Sequence, residues 1–207
     1  MAQLDLNRAF EESIAERVHL LNEPRYKATV LQIARLLTQT LLAGRRIYWM
    51  GNGGSAADAQ HLAAEFTGRF LRERRGLSSE ALTTNTSSLT AIANDYGYDA
   101  VFSRQVEAMV VPGDAVIGIT TSGTSRNILA GLEEAKRRGA ATIAFTGNGG
   151  GPVAQHADIV LVGPDGSSAL VQEVHIALGH IICDLVERQI VEADALASRA
   201  PVAAIER

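Results

Sequence analysis

The chain has 207 residues, 46% hydrophobic and 20% charged, enough to bury a core without covalent staples. Nineteen Lys and Arg against 23 Asp and Glu leave a net charge of −4, which argues against a nucleic-acid grip built on a broad basic face. One cysteine, Cys183, excludes an internal disulfide framework and a cysteine-built zinc cluster within one chain.

Met1–Leu21 carries early acids and no continuous apolar run, unlike a secretory signal or an Arg-rich transit peptide. No window approaches 18 uninterrupted apolar residues, so a cytoplasmic protein with no membrane span is expected. Leu6, Phe10, Ile14, Val18 and Leu21 recur at three- and four-residue steps and predict an amphipathic helix. Asn22-Glu23-Pro24 breaks that rhythm; Val30, Ile33, Ala34, Leu37, Leu41 and Leu42 resume it, with Gly44 as the stop. No strand precedes this pair. Residues 1–44 therefore read as an added helical layer, placed to pack on a sheet or on a partner subunit.

From Arg45 the pattern becomes strand, glycine- or hydroxyl-rich loop, helix, and it repeats. Arg45–Met50, Ala115–Ile119, Ala141–Phe145 and Asp158–Val162 are the predicted strands. Their alternation with helical stretches predicts an α/β fold over residues 45–191: one three-layer domain, with a mostly parallel sheet flanked by helices. Ser167–Val191 reads as a long closing helix, and residues 192–207 as an alanine-rich tail, partly ordered at best.

In such sheets ligands bind beyond the carboxyl ends of strands, where the loops fall. Gly51-Asn52-Gly53-Gly54-Ser55 follows a strand and opens a helix, so its backbone N–H groups can approach an anion. The same composition also serves a tight strand-to-helix turn without a ligand. It is neither a Walker loop nor a dinucleotide fingerprint, lacking the lysine of one and the G-x-G-x-x-G spacing of the other. Thr120-Thr121-Ser122-Gly123-Thr124-Ser125 places five hydroxyls in six residues at another strand end. One of them, Thr124 or Ser125, suffices to cap the next helix; the rest suit phosphate oxygens. Gly147–Gly151 has no hydroxyl run and reads as a turn.

His61 and Glu65 stand at i, i+4 on one helical face, a spacing that suits a shared metal, an imidazole-tuned carboxylate or an incidental surface pair. The closing helix carries Gln172, Glu173, His175 and His180; Gln172 and His180 differ by about 80° around the axis. Among Ile176, Leu178, Ile181 and Ile182, a histidine is more often a satisfied core residue than a catalyst, and only the combination of residues favours a site. Asn94-Asp95-Tyr96-Gly97 has turn composition. Arg69, Arg72, Arg74 and Arg75 form the basic cluster, read as a solvated loop or as an attractor for an anionic substrate.

With GNGGSAADAQHLAAEF, IANDYGYDAVFSRQVEA, ITTSGTS and VQEVHIALGH in order, the chain resembles the phosphosugar-isomerase (SIS) domain family, and within it the phosphoheptose isomerases. The resemblance runs from about Phe10 to Gln189. It implies a ketose–aldose isomerase that converts sedoheptulose 7-phosphate to D-glycero-D-manno-heptose 7-phosphate through an enediol or enediolate. Asn52, Gly53, Gly54 and Ser55 match the family's first substrate loop, Thr120, Thr121, Ser122 and Ser125 its phosphate-binding hydroxyls, and Asn94 and Asp95 a further substrate-contacting pair. His61, Glu65, Gln172 and His180 match its zinc-binding positions, Glu65 and Gln172 also touching substrate. Glu65 and His180 match its acid–base pair, and only the resemblance selects His180 over His175.

The resemblance further implies a homotetramer with sites near subunit boundaries and a small sugar phosphate as the partner, without nucleic acid or membrane. The alternatives are a non-catalytic SIS-domain regulator resembling the DnaA initiator-associating protein, or an isomerase of another phosphosugar. Regulators of that kind lose the acid–base pair, and this chain keeps Glu65 and His180. It departs from the family at Ala169-Leu170-Val171, where a polar or basic residue is usual before Gln172. That contact is then missing or supplied by Asp165 or Ser168.

Overall fold

A computed structural model describes residues 5–199. Five strands, β1 (Ile47–Gly51), β2 (Ser79–Ala81), β3 (Ala115–Thr120), β4 (Ala141–Thr146) and β5 (Ile159–Val162), form one sheet in the order β2-β1-β3-β4-β5. Every pairing is parallel. Four of the strands are those the sequence predicts. The fifth, β2, is three residues of Ser-Glu-Ala with no β-branched side chain to announce it.

Side chains alternate across the sheet. Ile47 and Trp49 of β1 enter one core with Ile117, Phe145, Leu62 and Phe66; Tyr48 and Met50 enter the other with Phe102, Val116 and Ile128. All five positions of β1 are buried, as expected for a strand covered on both faces. The first core is closed by α2 (Tyr26–Leu42), α3 (Gly54–Thr67) and α7 (Ser168–Arg199). The second is closed by α4 (Thr86–Tyr96), α5 (Ser103–Met109) and α6 (Arg126–Arg137).

After β1 the chain turns outward to β2, then crosses back to place β3 on the other side of β1. Strand order therefore reverses between β1 and β3, and a crevice opens beyond their carboxyl ends. The loops leaving these two strands are the glycine loop and the hydroxyl loop.

The N-terminal pair divides its labour. α2 packs on the sheet, with Ile33 and Leu37 fully buried. α1 (Leu6–Leu21), capped by Asp5 through the Asn7 and Arg8 amides, buries none of its residues. Its apolar stripe faces outward, with Leu6 72% and Phe10 68% exposed.

α7 runs on to Arg199, eight residues past the predicted end, so Glu192–Arg199 is helix rather than tail; the rest of the expected tail lies outside the described residues. Ser168–Ser198 is long and apolar enough to cross a membrane by composition. Here it is the central core helix: Val171, Val174, Leu178, Ile182, Val186 and Ile190 are buried against α2, α3 and the sheet.

Candidate active site

α3 and α7 lie side by side and run parallel. Gln172 meets Gly54, Leu62 meets Gly179, and His61 meets His180, so contacts advance together along both helices. This pairing sorts the candidate residues into two groups.

The first group surrounds the crevice between β1 and β3. α3 begins at Gly54 with Gly53 as N-cap and no side-chain cap, leaving the amides of its first turn to point outward. α6 likewise begins without a side-chain cap. Ser125 occupies the N-cap position, but its hydroxyl bonds Thr120 Oγ1 at 3.0 Å instead of the helix amides, contrary to the capping role expected of it or Thr124. Two uncapped helix N-termini thus converge where strand order reverses, an arrangement suited to a phosphate.

Side chains hold these loops in register. Asn52 and Asn127 exchange two amide hydrogen bonds, Asn52 Nδ2 donating at 2.9 Å and Asn127 Nδ2 at 2.8 Å. Tyr98 Oη donates to Asn52 Oδ1 at 3.1 Å. Thr121 Oγ1 pairs with Ser168 Oγ at 3.1 Å, and Ser122 Oγ with Thr124 Oγ1 at 2.9 Å. The Gly147–Gly151 segment is the turn expected: Asn148, at φ 49°, links Thr121 O to the Gly166 amide. Gly123 is required at φ 66°, since a Cβ there would lie 2.1 Å from Gly150 O. Gln172 joins this group, its amide so close to Gly54 that a Cβ on that glycine would lie 2.6 Å from Nε2.

Asn94 and Asp95 lie in the last turn of α4, not in a turn as their composition suggested; Gly97, at φ 84°, ends that helix. Asn94 Nδ2 donates to Asp95 Oδ1 at 2.8 Å, and both side chains are exposed beside the segment that carries Tyr98 to Asn52.

The second group lies farther along α3. His61, Glu65 and His180 offer ligand atoms that all fall within 4.8 Å of one another. His61 Nε2 sits 2.8 Å from His180 Nε2 and 3.2 Å from Glu65 Oε1. Phe70 stacks on the His180 ring, centroids 5.5 Å apart and planes at 23°. Two imidazoles and one carboxylate suit a borderline divalent cation with room for a further ligand. They also place a base and an acid within reach of one substrate carbon–oxygen unit.

Gln172 is held apart from this trio. It is eight residues, about 12 Å, from His180 along α7. His175, the rival histidine, is buried and turned to Thr146 O at 2.8 Å, a core role. The basic cluster follows neither sequence reading as a whole: Arg69 and Arg75 face solvent, whereas the Arg74 side chain is 2% exposed. Asn127, Tyr98 and Ser168 were not singled out as loop-holding residues, because their partners lie 46 to 75 positions away. Ser168 was foreseen only as a substitute contact.

The chain is similar to known proteins over most of its length. Residues 9–147 match the SIS domain family. The phosphoheptose isomerase of Aquifex aeolicus is 49% identical over 187 residues, covering 90% of this chain and 97% of that protein. The probable phosphoheptose isomerase of Thermoplasma acidophilum is 47% identical, covering 90% and 100%. Among solved structures, the phosphoheptose isomerase GmhA from Neisseria gonorrhoeae superposes with a TM-score of 0.83 at 41% identity, covering 89% of this chain and all of that one.

Proposed function

Because the chain belongs to the SIS-domain family and, within it, to the phosphoheptose isomerases, we infer that it converts sedoheptulose 7-phosphate to D-glycero-D-manno-heptose 7-phosphate. The observation that carries this reading is the His61–Glu65–His180 trio, in which His61 and Glu65 stand on the helix that presents the phosphate loop and His180 on the adjoining α7. A non-catalytic sugar sensor needs the loops but has no use for a carboxylate and an imidazole set together.

The chemistry moves one proton between neighbouring carbons. The Gly53–Ser55 amides and the Thr120–Ser125 hydroxyls hold the phosphate and fix the register of the sugar. Glu65, whose Oε1 lies 3.2 Å from His61 Nε2, removes a proton from carbon 1. His180 protonates the carbonyl oxygen at carbon 2, giving the enediol. In the second half His180 takes the proton from the carbon 1 hydroxyl and Glu65 returns one to carbon 2, leaving the aldose. A zinc ion held by His61, Glu65 and His180 would supply electrostatic stabilisation of the enediolate oxygens.

The two groups stand at opposite ends of α3, Glu65 about 16 Å along the axis from Gly54. That separation, with the outward apolar stripe of α1, supports a homotetramer in which one subunit supplies the phosphate loop and its neighbour the trio. Gln172 of the partner subunit then completes the zinc site and the contact to substrate.

Incubating purified protein with sedoheptulose 7-phosphate should yield the aldose phosphate by NMR, and no turnover by zinc-replete protein overturns the assignment. The shared-site arrangement has its own test. Glu65→Gln and Ser55→Tyr variants, each inactive, are mixed after dissociation and reassembled. Random pairing restores about one site in four, whereas sites confined to single subunits recover nothing.

A further inference from the structure

Glu187 lies seven residues beyond His180, two turns along the same face of α7. Its side chain is 1% exposed, yet it touches none of the residues assigned to substrate or metal. Instead it collects consecutive amides of the segment after α3: Phe70 N–H donates to Oε1 at 2.9 Å, and Leu71 and Arg72 N–H donate to Oε2 at 2.8 and 2.9 Å. Arg74 Nε pairs with Oε1 at 3.2 Å. Burial opposes ionisation of this carboxyl, but the three amides and Arg74 outweigh it and hold it below the usual carboxylate range. A carboxylate folded around three amide donors fixes a loop, because no neutral side chain offers two oxygens with that many acceptor sites.

What the loop delivers is on the page. Phe70, the first residue so held, carries the ring that stacks on His180. Arg74 closes the other side: its guanidinium donates to the carbonyls of Glu65 at 2.8 Å, Phe66 at 2.9 Å, Gly68 at 3.1 Å and Arg75 at 2.9 Å. One ion pair therefore reaches both members of the proposed acid–base pair, His180 through the Phe70 ring and Glu65 through its backbone at the end of α3. Arg72 adds a tether to α7 through Asp184, Nη1 to Oδ1 at 2.5 Å.

We propose that Glu187, with Arg74, is a positioning residue for catalysis: it sets the 68–75 loop so that Phe70 fixes the His180 ring in its reactive orientation. This rests on the roles assigned to Glu65 and His180 above.

The test uses the full chain labelled at histidine Cε1, in which five histidines give resolvable signals. Stacking under Phe70 shifts the His180 signal by ring current, and Phe70→Leu identifies that shift. Glu187→Gln should move the His180 signal toward its Phe70→Leu position while His175 and His156 stay in place. Its kcat should fall about 10-fold or more with KM within about 2-fold, as lost orientation predicts. Phe70→Tyr, which keeps the stack, should restore what Phe70→Leu loses. An unmoved His180 signal with wild-type kcat in Glu187→Gln overturns the proposal. Where Glu187→Gln does not fold, the Phe70 pair decides: wild-type kcat in Phe70→Leu overturns it, and loss rescued by Tyr supports it. Should His180→Gln retain full activity in the same assay, the acid–base reading fails, whereas the signal shift still reports on the loop.

Discussion

Glu65→Gln and His180→Gln are each expected to lower turnover by at least about 10²-fold, the usual scale for a lost acid or base. Gln has nearly the volume of Glu and keeps an oxygen toward His61, so the change removes proton-accepting ability more than shape. Both side chains are only half-buried and neither belongs to the core, so folding should survive. Loss of a transition-state role lowers kcat and kcat/KM together, with KM little changed because the phosphate loops are intact. The check is NMR-monitored conversion of sedoheptulose 7-phosphate by the zinc-replete variants. A reaction run in D₂O separates the two roles, since Glu65→Gln should also abolish deuterium entry at carbon. Either variant turning over near the wild-type rate removes that residue from the acid–base pair.

Local signals carried much of this site. Strand, loop and helix follow one another with changes of periodicity that any single stretch reveals, and the two ligand loops fall at strand ends by chain order alone. The spacing of His61 and Glu65 puts them on one face without knowledge of the fold. The structure adds His180 to them, because it shows which turn of α7 meets which turn of α3.

Residues whose meaning depends on distant partners were not legible. Asn127 matters through Asn52, 75 positions earlier, and Glu187 through amides more than a hundred positions back. Arg74 looked like its exposed neighbours because charge alone does not tell a buried arginine from a solvated one. β2 was missed for a related reason: three residues held by β1 need no strand propensity of their own. The outward stripe of α1 is the converse case, a periodicity plain in the sequence that stays exposed among the described residues.

His175 separates structural from catalytic histidines by its response to acid. It is fully buried, and burial pulls its pKa down to about 4, the Thr146 carbonyl offsetting only part of that. Nε2–H donates to that carbonyl, while Nδ1 has no partner among the described residues, so a second proton would sit in the core without an acceptor. In the unfolded chain the same imidazole titrates near 6.5. Below that value the unfolded state binds a proton that the folded state refuses until about pH 4, so stability falls with pH across this window and levels off beneath it. The loss attributable to this one group is about 3 kcal/mol over the full window. His175→Gln keeps an N–H for Thr146 O, which also accepts from Gly163 N–H, but cannot titrate. Urea unfolding of metal-free wild type and His175→Gln at pH 7.5 and pH 5 should show the wild type losing about 2 kcal/mol more than the variant between the two conditions. Equal losses would mean that His175 takes up its proton in the folded protein, and that α7 is not sealed against the sheet at Thr146.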